Sequence, residues 1–192
     1  MTEKKDSTDK RTAILESALA LIREHGFHGA PMSQVAKKAG VAAGTLYLYF
    51  DSKDQLIREL YTYVVDRMMQ AVLDGDHPEL PFRDRFFNFW TNHYQFYIKN
   101  PAYLFFSEQF TSSPYGKEAT LTENEQFRNV IARLFRCGIA HEKLKPIDTV
   151  LFGVLIHGSI LNAAKAHLSG RLKIGEKELN QIFEIVWDGI KK

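Results

Sequence analysis

Apolar residues recur at three- and four-residue intervals along the whole chain, the spacing that lines one face of an α-helix. No stretch alternates in the manner of a half-buried strand, and no repeat or low-complexity block interrupts the pattern. The expectation is an all-α protein of about nine helices. The first runs from about Asp9 to Glu24 behind a flexible basic arm carrying Lys4, Lys5, Lys10 and Arg11. Its apolar face is Ile14, Ala18, Leu21, Ile22 and His25, and Gly26 stops it.

A short second helix starts at Pro31, whose fixed φ suits a first helical position, with Met32, Val35, Ala36 and Ala39 as its stripe. The turn "AGV" at Ala39 to Val41 places Gly40 as a left-handed cap, and a third short helix follows at once. Two short helices joined by a three-residue glycine turn form a helix-turn-helix pattern. Stepping 100° per residue through the third helix puts Ala42, Leu46, Tyr49 and Phe50 in one arc, the core side. Ala43, Gly44, Thr45, Tyr47 and Leu48 fall outside it. Very small residues beside one large aromatic and one leucine suit a surface that docks closely on something.

Asp51 and Ser52 break that helix and cap a fourth, from near Lys53 to about residue 73, whose stripe is Leu56, Ile57, Leu60, Val64, Met68 and Val72. It is placed as the link between domains. "DGDHPELP" is a loop, and the fifth helix reaches about Lys99. Asn100 and Pro101 are expected to act as N-cap and first-turn proline of the sixth, and "TSSPYGKE" as a flexible loop. A seventh helix is expected at about Ala119 to Ile139. The eighth and ninth, about Ile147 to Leu168 and Glu176 to Lys191, carry apolar and small residues that suit a helical pair buried against a partner.

Composition narrows the function. The single Cys137 cannot form an internal disulfide, which fits a reducing compartment. The N-terminus is polar, with no apolar run of about 18 residues anywhere, so the expectation is a cytoplasmic protein outside the membrane. A net charge of +2 says little, but its distribution says more. No Asp or Glu occurs from His25 to Phe50, where 23 acids in 192 residues would place about three. That window contains the helix-turn-helix pattern.

The motifs "ILESALALIREHGF", "MSQVAKKAGVAAGTLYLYF" and "SKDQLI", in that order and spacing, resemble the DNA-binding domain of the TetR family of bacterial transcriptional regulators. The resemblance covers about Arg11 to Leu60. It implies a DNA-binding domain at 1–50 and a ligand-binding and dimerisation domain at 51–192. It also implies a homodimer paired through the eighth and ninth helices, operator DNA as partner, and most often repression relieved by a small molecule. Residues on the implied DNA face are Ser33, Gln34, Ala43, Gly44, Thr45, Tyr47 and Leu48, with Lys53 as the phosphate-contacting lysine of the fourth helix. Three positions depart from the family's usual residues. Ala30 and Ala42 lack hydroxyls that would cap, worth ~1 kcal/mol each, and Leu48 stands where histidine is common; it can meet a thymine methyl but cannot hydrogen-bond a base edge.

Twelve of the 24 aromatic residues lie between Phe82 and Phe110. At helical spacing such a block makes either a packed core or a cavity. As a cavity it would be lined by Phe86, Trp90, His93, Tyr94 and Phe105, with Phe127, Phe152 and His157 from later helices, and would take a largely apolar or aromatic effector. The histidines form no H-E-x-x-H and have no cysteine pair, so no metal is expected. No nucleophile elbow, phosphate-binding glycine loop or dinucleotide fingerprint is present, so neither cofactor nor enzymatic activity is expected. The rival readings are a helical scaffold without specific DNA binding and a small enzyme using the aromatic cavity.

Overall fold

The helical spacing becomes helix at nearly every place it predicts one. The computed structural model describes the backbone of residues 2–119, 125–141 and 143–192, and the side chains of 9–117, 129–141 and 143–192. Ten helices occur among these residues, and no strand beyond one isolated bridge, Leu144 with Lys191. They are α1 (Thr2–His25), α2 (Met32–Ala39), α3 (Ala43–Tyr49), α4 (Lys53–Val72), α5 (Phe82–Lys99), α6 (Pro101–Thr111), α7 (Pro114–Ala119), α8 (Glu125–Ala140), α9 (Thr149–Leu168) and α10 (Glu176–Ile190).

Two local expectations change. The arm is helical from Thr2, so it has no separate existence ahead of α1. The proline and serines of "TSSPYGKE" open α7, because Pro114 supplies a fixed φ at a first helical position. Asn100 stands between two helices: its Nδ2 donates to the Phe96 carbonyl at 2.9 Å, closing α5, and α6 opens directly after it on Pro101, as the Asn-Pro pair predicts. Residues 120–124, inside the expected seventh helix, lie outside the described residues; from Glu125 to Ala140 that helix is α8.

Two compact units result, Met1–Asp66 with Ala102–Glu123, and Arg67–Pro101 with Asn124–Lys192. In the first, α1 packs on α2 and α2 on α3. Ile14, Val35, Leu46 and Phe50, each at 0–1% exposure, meet in its interior. Gly40 turns the chain between α2 and α3 at φ 69°, and its N–H returns to the Ala36 and Lys37 carbonyls. Ser52 Oγ accepts the Gln55 N–H at 3.1 Å and so caps α4, as its sequence position predicts.

α6 joins this unit through a buried polar knot. The Glu16 carboxylate of α1 accepts hydrogen bonds from Tyr63 of α4 and, at 2.7 Å, from Tyr103 of α6. Burial and that carboxylate push the Tyr103 phenol far above its ordinary pKa. It therefore stays protonated and keeps donating. Glu16 is not among the apolar face that the spacing gives α1; the two phenols hold it partly buried.

In the second unit α5 lies against α9 and α10, with α8 on α9. Its rings interlock: Phe86 lies 5.7 Å from Phe183 and 6.4 Å from Phe135, and Phe135 stacks on Phe152 at 5.2 Å. α9, with 20 residues, is long and apolar enough to cross a membrane by length and composition alone, yet it buries Phe152, Ile156 and Ile160 within the unit. A core helix has the same composition.

A Cβ at position 40 would be forced into the left-handed region, at a cost of about 1–2 kcal/mol. Gly40→Ala should lower unfolding stability by that amount, whereas Ala43→Ser, on the exposed side of α3, should leave it within about 0.5 kcal/mol; urea titration of both variants checks the contrast.

Candidate functional site

α3 has only seven residues, too few to persist alone, so burial of Leu46 and Phe50 fixes its orientation. That leaves Tyr47 at 51% and Leu48 at 84% exposure, with Ala43 and Gly44 also open. A Cβ added at Gly44 would meet nothing within 4 Å, so the open space lies outside the chain. Thr45 is half-buried and Ala42 is exposed, each one step from the face its helical angle predicts. Ala42 occupies the N-cap of α3 and Pro31 that of α2; neither supplies a side-chain cap. The first amides of both helices therefore remain available to an anionic oxygen. Ser33, Gln34, Lys37 and Lys38 are exposed on α2.

Two of the expected DNA-contacting cations already have work within the unit. Lys53 Nζ donates to the Phe27 carbonyl at 2.5 Å, which occupies one of its three protons. Arg11 pairs with Glu59 and lies 5.3 Å from the Phe50 ring centre, so it braces α1 against α3 and α4 instead of extending as an arm. Lys4 and Lys5 lie outside the described side chains. No sequence period signals such bonds, because their partners are dozens of residues away.

The expected effector residues divide. Phe86, Trp90, His93, Tyr94 and Phe152 are buried together in the second unit. Phe105 is 44% exposed and belongs to the first unit, so it does not join them. The Phe127 side chain lies outside the described residues. Trp90 Nε1 donates to Ser159 Oγ at 3.0 Å, and the Tyr94 hydroxyl shares a 2.5 Å hydrogen bond with His167 Nδ1, so both polar tips fasten α5 to α9. His93 differs from them. It is 2% exposed, and neither ring nitrogen has a hydrogen-bond partner. His157 approaches it from α9 with ring centres 5.5 Å apart, open to solvent on its outer side. His25, expected in the core, is exposed. Among the described residues no group of three or more His, Cys, Asp or Glu could hold a metal.

A buried three-helix unit whose short third helix presents Gly44, Tyr47 and Leu48 outward, after a left-handed glycine turn, defines a helix-turn-helix regulatory protein. Residues 14–60 match the family described as bacterial regulatory proteins, tetR family, and residues 81–191 match the tetracyclin repressor-like C-terminal domain. The chain belongs to the TetR family. An HTH-type transcriptional regulator of Haemophilus influenzae is 36% identical over 112 residues, a match spanning 58% of this chain and 59% of that relative's length. The structure of a TetR family protein from Vibrio parahaemolyticus is 31% identical, with a TM-score of 0.83 over 95% of this chain and 99% of that one. A regulator, FadR, from Bacillus subtilis in complex with stearoyl-CoA shares the fold, with a TM-score of 0.73 at 21% identity over 93% of this chain and 98% of that one.

Burial and the nearby His157 hold His93 well below the ordinary histidine pKa, and burial lowers His157 as well. The unfolded chain takes up these protons near pH 6.5 while the folded chain resists them. Stability should therefore be full above about pH 7 and fall on acidification through about 6.5, by at most ~1.4 kcal/mol per pH unit per histidine. Denaturant midpoints should drop between about pH 7.5 and about pH 5.5, and by less in His93→Phe.

Proposed function

We propose that this chain is a homodimeric, DNA-binding transcriptional repressor that works in the cytoplasm and leaves its operator when a small, largely apolar or aromatic effector enters the second unit. The observation that carries the DNA reading is the outward face of α3, with Gly44 open and Tyr47 and Leu48 exposed, inside a stretch from His25 to Phe50 without a single carboxylate side chain. Phosphate repels carboxylates, so their exclusion from this stretch fits a polyanionic partner. In this reading the Tyr47 hydroxyl and the remaining Lys53 protons contact phosphate, while Thr45 and Leu48 meet base edges, with Ser33, Gln34 and Ala43 alongside.

Dimerisation is supported by the exposed side of α9. Val150, Leu151, Val154 and Leu155 are 55–70% exposed, and Ile185 of α10 is 73% exposed. Gly158 on the same side leaves room for close approach. A two-fold pairing there would set two α3 helices on one operator, with half-sites one helical turn or a multiple apart, about 34–36 Å per turn. The effector reading rests on the density of rings around His93, and on stearoyl-CoA having been found in the Bacillus subtilis regulator of the same fold.

Selection from random duplexes should enrich a palindrome. Lys53→Ala should then weaken every duplex by a similar factor and reduce the slope of log Kd against log salt by about one. Leu48 and Thr45 substitutions should change which palindrome is preferred. No enriched palindrome, or binding indifferent to Tyr47→Ala combined with Lys53→Ala, would favour a scaffold that keeps the fold without reading DNA. Leu155→Asp should leave a monomer by sedimentation and reduce operator affinity by at least about tenfold, since a charge buried at an interface is costly.

A further inference from the structure

Among the described residues, His93 is the one buried polar side chain left without a hydrogen bond. Its neighbours on α5 show how unusual this is, since Trp90, Tyr94 and Tyr97 each hand a polar atom to a partner, Tyr97 to Met68 Sδ at 3.7 Å. The His93 ring is surrounded by other rings: Tyr97 at 5.0 Å, His157 at 5.5 Å and Phe89 edge-on at 6.2 Å. A buried polar group without a partner in a native fold calls for a reason, and a missing ligand is one. Phenylalanine would fill much the same space without two dry nitrogens.

The chemistry of the missing partner follows from the ring. A neutral imidazole offers one donor and one acceptor. A hydroxyl group complements it, because a hydroxyl also donates once and still accepts. An ammonium or carboxylate would enter an aromatic enclosure, where desolvating a charge is costly without a counter-ion.

We propose that His93 is the polar anchor of the effector site and reads an uncharged hydroxyl on an otherwise apolar ring system. This deepens the effector reading above and rests on it.

The test uses the full-length protein and a matched pair of probes, 2-naphthol and 2-methylnaphthalene, which differ by hydroxyl against methyl. Calorimetric titration of the wild type should give at least about tenfold tighter binding of 2-naphthol, the discrimination expected when a buried polar group is left unpaired by the wrong ligand. In His93→Phe the preference should shrink below about threefold while 2-methylnaphthalene binds as before, and the variant should melt at or above the wild-type temperature. His93→Leu is read in the same way should the phenylalanine variant not fold. Equal binding of the two probes by the wild type would overturn the anchor while leaving an apolar effector site standing. Binding of neither would overturn both. A hydroxyl preference that survives both substitutions, or both variants melting well below wild type, would mark His93 as a satisfied structural residue and overturn the proposal.

Discussion

The outward face of α3 depends on one constraint: a seven-residue helix has no stability of its own and must take its orientation from what it buries. Leu46 and Phe50 are fully buried, four residues apart, and together they anchor α3 against α1 and α2. Once those two positions are fixed, the 100° step leaves Tyr47 and Leu48 no interior to enter. The Gly40 turn and the Gln55–Ser52 cap then set where α3 begins and where α4 takes over. Outward display of apolar side chains is thus a consequence of packing economy elsewhere, and it gives a contact surface with few hydrogen-bonding groups.

Most of what period governs was legible in the sequence; the exceptions, His25, Ala42 and Thr45, sit at helix ends or at the edge of a face. The α2 to α3 turn, the split faces of α3, the stripe of α4 and the aromatic side of α5 all follow from spacings of three, four and seven. What was hidden depends on partners far along the chain. Nothing near Arg11 announces Glu59, nothing near Lys53 announces the Phe27 carbonyl, and Glu16 is drawn inward only by Tyr63 and Tyr103. Asn100 does more than the sequence assigns it: an Asn-Pro pair satisfies the rules for ending one helix as well as for starting the next, and here Asn100 closes α5 while α6 opens on Pro101. Phe105 shares its helix with Phe106 and Phe110, yet three-dimensional packing turns it away while they are buried.

The aromatic block also shows why residue type alone could not separate a cavity from a core. Ring spacing is the same in both cases. Polar tips are more informative, because a core must satisfy them and a binding site keeps one in reserve. Ser159 and His167 receive the tips of Trp90 and Tyr94, so those two residues are structural fasteners between α5 and α9. His93, on the same helix and between them, receives nothing.

The chain passes between its two units within helices as well as through the segment before α8. α4 crosses between Asp66 and Arg67, and α6 crosses in its first turn between Pro101 and Ala102. Helical backbone transmits a rotation or shift along its axis better than a loop does, because each residue is hydrogen-bonded to the next turn. α6 begins directly after the Asn100 cap that ends α5, and two residues into the first unit it presents Tyr103 to Glu16 of α1. Tyr63 of α4 donates to the same carboxylate, so α1, α4 and α6 are tied at one point within the first unit. Burial and the Glu16 carboxylate hold the Tyr103 phenol protonated, so it keeps donating above the range in which an ordinary phenol would ionise. Burial acts the other way on His93 in the second unit, because there the charged form is the protonated one: the same desolvation that raises a phenol lowers an imidazole.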